Sequence, residues 1–135
     1  MTKFVEARET LEDGVKALIE GVIEDFTEWS TDNLTQMYES EGRVPHSELF
    51  KRTEGSLLQD FIRGMDYSKG LKYIKVTSDR GRVLCFIVAT PKDDKFNIGD
   101  VLMPATWARP SRNKARGNVL TTGTNIRWTG PLYLR

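Results

Sequence analysis

Arg82–Ala89, RVLCFIVA, is almost continuously apolar and rich in β-branched residues. That pattern predicts a central strand covered on both faces. Cys85 falls in its middle, and with no histidine close in the sequence the expectation is a buried, inert thiol. Upstream, Leu71–Thr77 (LKYIKVT) reads as a half-exposed strand. Its alternation predicts Leu71, Tyr73 and Ile74 facing inward, with Lys72 and Lys75 facing out. Ser78-Asp79-Arg80-Gly81 has the composition of the turn that joins the two strands. Downstream, Pro91–Lys95 is a second turn, and Gly99-Asp100 interrupts the run Phe96–Met103 to leave a short strand from Val101. Asn118–Thr121 and Ile126–Leu134 read as further extended pieces joined by residues 122–125, with Gly130-Pro131 dividing the last. Residues 69–135 are therefore expected to form a small, mainly antiparallel sheet.

Residues 1–68 follow a different period. Thr10 is a suitable N-cap, with Glu12 and Asp13 in the first turn where the helix dipole favours acids. Leu11, Val15, Leu18, Ile19, Val22, Phe26 and Trp29 recur at spacings of three and four, which makes one apolar stripe. Gly14 and Gly21 lie on the same side as Leu11 and Leu18. Each costs roughly 1 kcal/mol of helix propensity relative to alanine, which either close packing against a neighbour offsets or a well-buried helix simply tolerates. A second short helix is expected from Ser30 or Thr31 to Gly42, through Leu34, Met37 and Tyr38, with Pro45 barring continuation. Ser47 is expected to cap further helix through Leu49 and Phe50, and Leu57, Leu58, Phe61 and Ile62 form another stripe that exits between Gly64 and Gly70. Helices stacked on one face of an antiparallel sheet make an α+β, two-layer domain. Neither repeats nor linkers divide the chain, so residues 1–135 read as one domain, with an acidic helical layer (1–68) and a basic β-rich layer (69–135).

Composition narrows the function. The chain of 135 residues is 39% hydrophobic and 29% charged, as ordinary globular domains are. No apolar run approaches a membrane span, and the N-terminal MTKFVEARETLEDG lacks a signal peptide's apolar centre. One cysteine fits a reducing cytosol, and one histidine, His46, leaves little material for His-based catalysis or metal binding. Asp93, Asp94 and Asp100 could in principle hold Mg²⁺, but aspartates at Pro91–Lys95 are expected for the turn alone. Nucleotide-binding, metalloprotease and redox motifs are all missing. Neither a cofactor, a metal nor an enzymatic activity is expected. The net charge of +1 hides an asymmetry: residues 1–68 carry 15 acidic and 7 basic side chains, a net of −8, and residues 69–135 carry 4 acidic and 13 basic, a net of +9. Such a split suggests an anionic partner for the basic half or association between unlike halves.

The basic half concentrates its signal in Pro104–Asn118, PATWARPSRNKARGN. Its prolines exclude a regular helix or strand, and long loops in small domains are usually functional or disordered. Arg109, Arg112 and Arg116 offer planar, bidentate recognition of phosphate, with Lys114 as a point charge. Gly117 and Asn118 would let the backbone turn towards an anion. Trp107 could stack on a nucleobase or cover the core. Lys72, Lys75, Arg80 and Arg82 on the neighbouring hairpin would extend the basic surface. Joint replacement of Arg112 and Arg116 by alanine is expected to abolish ligand binding with the fold intact.

The run Lys72–Asn118 resembles small uncharacterised proteins of tailed bacteriophages. The similarity rests on KYIKV, the hydrophobic strand and its short turn, GDVLMPATW and RPSRNKARGN, with GPLYLR as the aromatic end. The resemblance implies a phage origin and a place in the host cytoplasm, and brings no settled activity. Two expectations follow. The first is a non-enzymatic phage accessory protein whose basic β-module binds a nucleotide or nucleic acid, for instance to sequester a host defence signal. The alternative is a protein-interaction role, either homo-oligomerisation through the acidic and basic halves or inhibition of a host protein.

Overall fold

The computed structural model describes residues 3–40, 59–78, 81–127 and 129–131, residues 31–40 as backbone alone. Strand β1 (Lys3–Val5) leads into helix α1 (Leu11–Ser40). Among the described residues seven strands follow: β2 (Asp66–Lys69), β3 (Tyr73–Thr77), β4 (Val83–Val88), β5 (Val101–Leu102), β6 (Gly117–Asn118), β7 (Gly123–Arg127) and β8 (Gly130–Pro131). All pairings are antiparallel. One sheet has the order β2-β3-β4-β5, and the other β1-β7-β6 with β8 also on β7. The class is α+β, as the change of periodicity along the chain predicts. Two small sheets replace the single expected one. They are stitched at the Asp100–Asn118 bridge, which is flanked by Arg116 N–H to Val101 O (2.7 Å) and Val119 N–H to Gly99 O (3.0 Å).

Helix α1 starts as its sequence dictates: Asp13 N–H donates to Thr10 Oγ1 at 3.2 Å. It then runs 30 residues without the expected break at Ser30. Neither proline nor glycine stands at that point, and the Ser30 hydroxyl donates back to Thr27 O at 3.1 Å, so its preference for a cap is met inside the helix. The expected cap at Ser47 and the Leu57–Leu58 start of the next stripe, together with His46, lie outside the described residues; residues 59–64 are helical. Phe61 in that segment stacks on Phe26 of α1 with ring centroids 4.0 Å apart. No helix among the described residues is long and apolar enough to cross a membrane.

The first 68 residues are also not purely helical, since β1 and the start of β2 fall among them. Lys3 and Val5 pair with Ile126 and Thr124 of β7, so the N-terminus contributes a strand to the sheet formed by the C-terminal part. Lys3 Nζ also bonds Glu28 of α1, which fixes strand and helix together.

Val15, Leu18, Val22 and Phe26 of α1 pack with Val5, Ile74, Val76, Cys85, Ile87, Val101, Val119 and Ile126 in one cluster. The two glycines sit at its closest approach. An alanine Cβ at Gly14 would lie 2.8 Å from Val119 Cβ, and one at Gly21 would lie 2.6 Å from Val5 Cγ2. The helix thus trades propensity for contact.

Strand β4 is covered on both faces. Cys85 and Ile87 join the main cluster, and Phe86 and Val88 join a second one with Phe96 and Leu102. Burial pushes the Cys85 thiol up to about 12, so it stays protonated near neutral pH. Strand β3 adopts the other of its two frames. Ile74 and Val76 face the main cluster, while Tyr73 and Lys75 face the opposite side and Leu71 is 98% exposed. Leu71 belongs to the turn: Gly70 N–H bonds Tyr73 O at 2.8 Å, so the strand begins two residues later than its apolar start suggests. The last hairpin is shifted likewise. Residues 119–122 form the turn, β7 starts at Gly123, and Gly130-Pro131 pairs with β7.

The Gly14 contact yields a test with a counter-intuitive sign. Helix propensity alone would make Gly14→Ala stabilising by roughly 1 kcal/mol. Overpacking against Val119 should instead destabilise the protein by about 1–3 kcal/mol. Urea unfolding monitored by circular dichroism distinguishes the two; a raised midpoint would mean that α1 does not lie against Val119.

Candidate functional site

On the outer face of the β2–β5 sheet, aromatic rings and cations alternate. The frame of β3 sends Tyr73 and Lys75 to this face, and β4 adds Phe86 opposite Lys75. Tyr73 meets Phe86 edge-on with centroids 6.0 Å apart. The Lys75 ammonium lies 5.8 Å from the Phe86 centroid and 3.5 Å from that of Trp107. At the other end, the Arg112 guanidinium lies 5.1 Å and the Lys95 ammonium 5.4 Å from the Phe96 centroid. The row reads Trp107, Lys75, Phe86, Tyr73, Arg112, Phe96, Lys95. Each cation sits where a ring's negative face attracts it.

Arg112 anchors the far end of this row. Its Nη1 donates to Asp93 Oδ2 and its Nη2 to Asp93 Oδ1, both at 2.9 Å. Nη1 also donates to the Tyr73 hydroxyl, and Nη2 reaches Asp94 Oδ1 at 3.4 Å. The Arg112 carbonyl accepts from Lys95 Nζ. Asp93 is equally committed, since its Oδ1 accepts the backbone N–H groups of Lys95 and Phe96 at 2.9 Å each. The Arg112 hydrogen bond, with help from the two backbone donors, holds the Asp93 carboxyl well below the usual carboxylate range. In return the carboxylate raises the already high Arg112 value. The fork that the sequence offers for phosphate is thus filled by an internal carboxylate.

Residues 103–111 form a closed tongue. Ser111 N–H bonds Met103 O (2.7 Å) and Ala105 N–H bonds Arg109 O (2.9 Å), on either side of a Pro104–Pro110 bridge. Thr106 Oγ1 accepts from the N–H groups of Ala108 and Arg109 at 3.2 and 3.1 Å, which tightens the tip. Trp107 projects from that tip and is 67% exposed. Its Nε1–H donates to Gly81 O at 3.1 Å, so the indole is pinned to the β3–β4 turn. The choice left open by the sequence, core or surface, resolves to surface.

The other residues singled out in the sequence divide. Arg109 and Lys114 are exposed. Arg116 is 3% exposed and Asn118 4% exposed. Asn118 Nδ2 donates to Ile98 O (3.0 Å) and Asp100 Oδ1 (2.9 Å). Its Oδ1 accepts from Leu120 N–H and Thr121 N–H. It is the knot between the sheets. Gly117 serves close packing: at φ 149° a Cβ there would meet Thr124 Cβ at 2.5 Å. Arg82 Nη2 donates to Thr129 O at 2.9 Å, Lys72 is exposed, and Arg80 lies outside the described residues. Replacing Arg112 and Arg116 together would therefore disturb the fold, and any loss of binding would not report on a ligand contact.

Trp107, Lys72, Arg109 and Lys114 remain exposed and Lys75 half-buried, and beside Trp107 and Lys75 lies an open groove of about 470 Å³ lined by Ser68–Tyr73, Lys75 and Phe86. Lys69 and Phe86, which complete this surface, escape a reading by sequence. Lys69 ends a strand with no apolar alternation, and Phe86 is hidden in a run whose residues all look like core.

The Arg112–Asp93 pair predicts a pH dependence. A carboxylate whose value is lowered on folding contributes stability in full above its ordinary value near 3.9 and loses it as the pH falls towards the folded value. The urea midpoint should fall between about pH 4 and pH 2. Asp93→Asn should be less stable at neutral pH and show a flatter acid limb. An unaltered acid limb in Asp93→Asn would remove this pair from the account of stability. Comparisons with protein-family models, with curated proteins and with solved structures find no match to this chain.

Proposed function

We propose that this protein is a binding module whose Trp107–Lys75 corner takes a phosphate-bearing ligand carrying a base, a nucleotide or a nucleic acid. Trp107 carries the reading. An indole that is 67% exposed yet hydrogen-bonded in place is a stacking platform whose orientation is set before the ligand arrives. The Lys75 ammonium lies over one face of the indole, so a base would stack on the opposite face, with this cation supplying charge for the attached phosphate. Lys69 and Lys72 line the adjoining groove, among whose lining residues no acid stands. The charge of the basic half, −8 against +9 along the chain, supports the same reading.

No reaction is included in the proposal. Asp93 and Asp94 are both paired with Arg112, and the Cys85 thiol is buried. Taking this with the resemblance of Lys72–Asn118 to tailed-phage proteins, we read the binding as an accessory function in an infected bacterial cell, such as sequestering a host defence signal.

Trp107→Ala tests this directly. A base–aromatic stack is worth about 1–3 kcal/mol, so affinity for a labelled oligonucleotide or a nucleotide should fall roughly 5- to 150-fold. The circular dichroism spectrum should not change, because the side chain is outside both apolar clusters. Equal affinity of Trp107→Ala and the native chain would overturn the proposal.

A further inference from the structure

We infer that the ligand of this surface is single-stranded nucleic acid lying across two contiguous grooves, and not a lone nucleotide; this rests on the proposed Trp107–Lys75 site. The groove beside that corner does not end at Tyr73. A second open groove of about 600 Å³ continues from it, lined by Thr90, Lys92, Asp93, Asp94 and Arg112. Leu71, Lys72 and Tyr73 line both. The two grooves therefore meet over the β2–β3 turn.

The shape and the charge point to a strand. A small-molecule site is concave and encloses most of its ligand. Here the surface is open and extended, and a base stacked on Trp107 would leave the second groove empty. Single-strand binders combine a positive groove that follows the backbone with aromatic platforms. Lys75, Lys69 and Lys72 line or flank the first groove, and Lys72 and Lys92 the second. Leu71, 98% exposed at the junction, offers an apolar side chain against which an unstacked base can lie. Duplex recognition would call for a helix or ribbon fitted to the major groove, and this surface is a sheet face.

Charge is uneven along the path. The first groove has three lysines and no acid. In the second, Asp93 is neutralised by Arg112, and Asp94 is 97% exposed. Phosphates are thus drawn most strongly into the first groove, and Asp94 opposes them in the second. Asp94→Asn should strengthen binding only if the strand reaches that far.

The experiment is fluorescence anisotropy on the full chain with oligothymidylates of roughly 1–12 nucleotides, a range that covers the site of one single-strand module. Thymidine monophosphate and polyglutamate serve as competitors. Affinity should rise at least tenfold from the shortest to about eight nucleotides. With four lysines engaged, the slope of log K against log salt should be about −2.8, falling to about −2.1 in Lys92→Ala. Asp94→Asn should bind the longer oligomers several-fold more tightly and leave the shortest unchanged. A mononucleotide that binds as well as the longest oligomer, with binding still lost in Trp107→Ala, would overturn the strand while leaving the Trp107 site standing. Length-dependent binding that is indifferent to both Lys92→Ala and Asp94→Asn would overturn the second groove. Polyglutamate competing as well as oligothymidylate would reduce the surface to bare charge and overturn the inference. Binding indifferent to Trp107→Ala would remove the underlying site as well.

Discussion

Strand β4 has apolar side chains on both of its faces, and α1 covers only one of them. Burying such a side chain is worth about 1.5–3 kcal/mol, so the second face cannot be left to water without a large loss. The chain meets this constraint with irregular segments. Phe96, from the turn after β4, and Ala115, from the long basic stretch, pack over Phe86, Val88 and Leu102. The Arg112–Asp93 pair joins those two segments at a point 19 residues apart in sequence. The long loop is first of all a cover for the sheet.

This use of the loop decides which of its charges remain for a partner. A cover must satisfy its own backbone and polar groups, because a buried donor left unmade is costly. Arg112 is therefore bound to Asp93 at the surface of the cover, and Asn118 turns inward. Residues 103–111 bond to themselves and need no cover. Their tip projects from the loop and carries Trp107, which is bonded to Gly81 O and lies 67% exposed. The β2–β3 hairpin supplies the charge beside it, since β3 presents Lys75 to the outer face while β2 and the turn end in Lys69 and Lys72. The side chains that bring about the fold and those left exposed are thus separated within one stretch of sequence.

The reading of the sequence succeeds where the local pattern leaves one solution. RVLCFIVA admits no frame that leaves a face polar, so a central strand follows from it alone. Thr10 with Glu12 and Asp13 marks a helix start. It goes astray where two solutions are nearly equal. LKYIKVT has apolar residues in both alternating frames, so only the position of the Gly70–Tyr73 turn selects between them. Ser30 suits a cap or a back-bonded helix interior equally well.

By itself, then, the sequence determined the α+β class, the central place of β4, the buried thiol and the concentration of positive charge in the second half. These depend on hydrophobic period and composition, which act locally. Only the tertiary structure decided which arginines are consumed internally, which frame β3 takes, and that Trp107 faces outward. A guanidinium takes whichever carboxylate the fold brings to it, and for Arg112 that is Asp93 in a different turn. No spacing along the chain encodes that meeting; it exists only once the second face of β4 has to be covered.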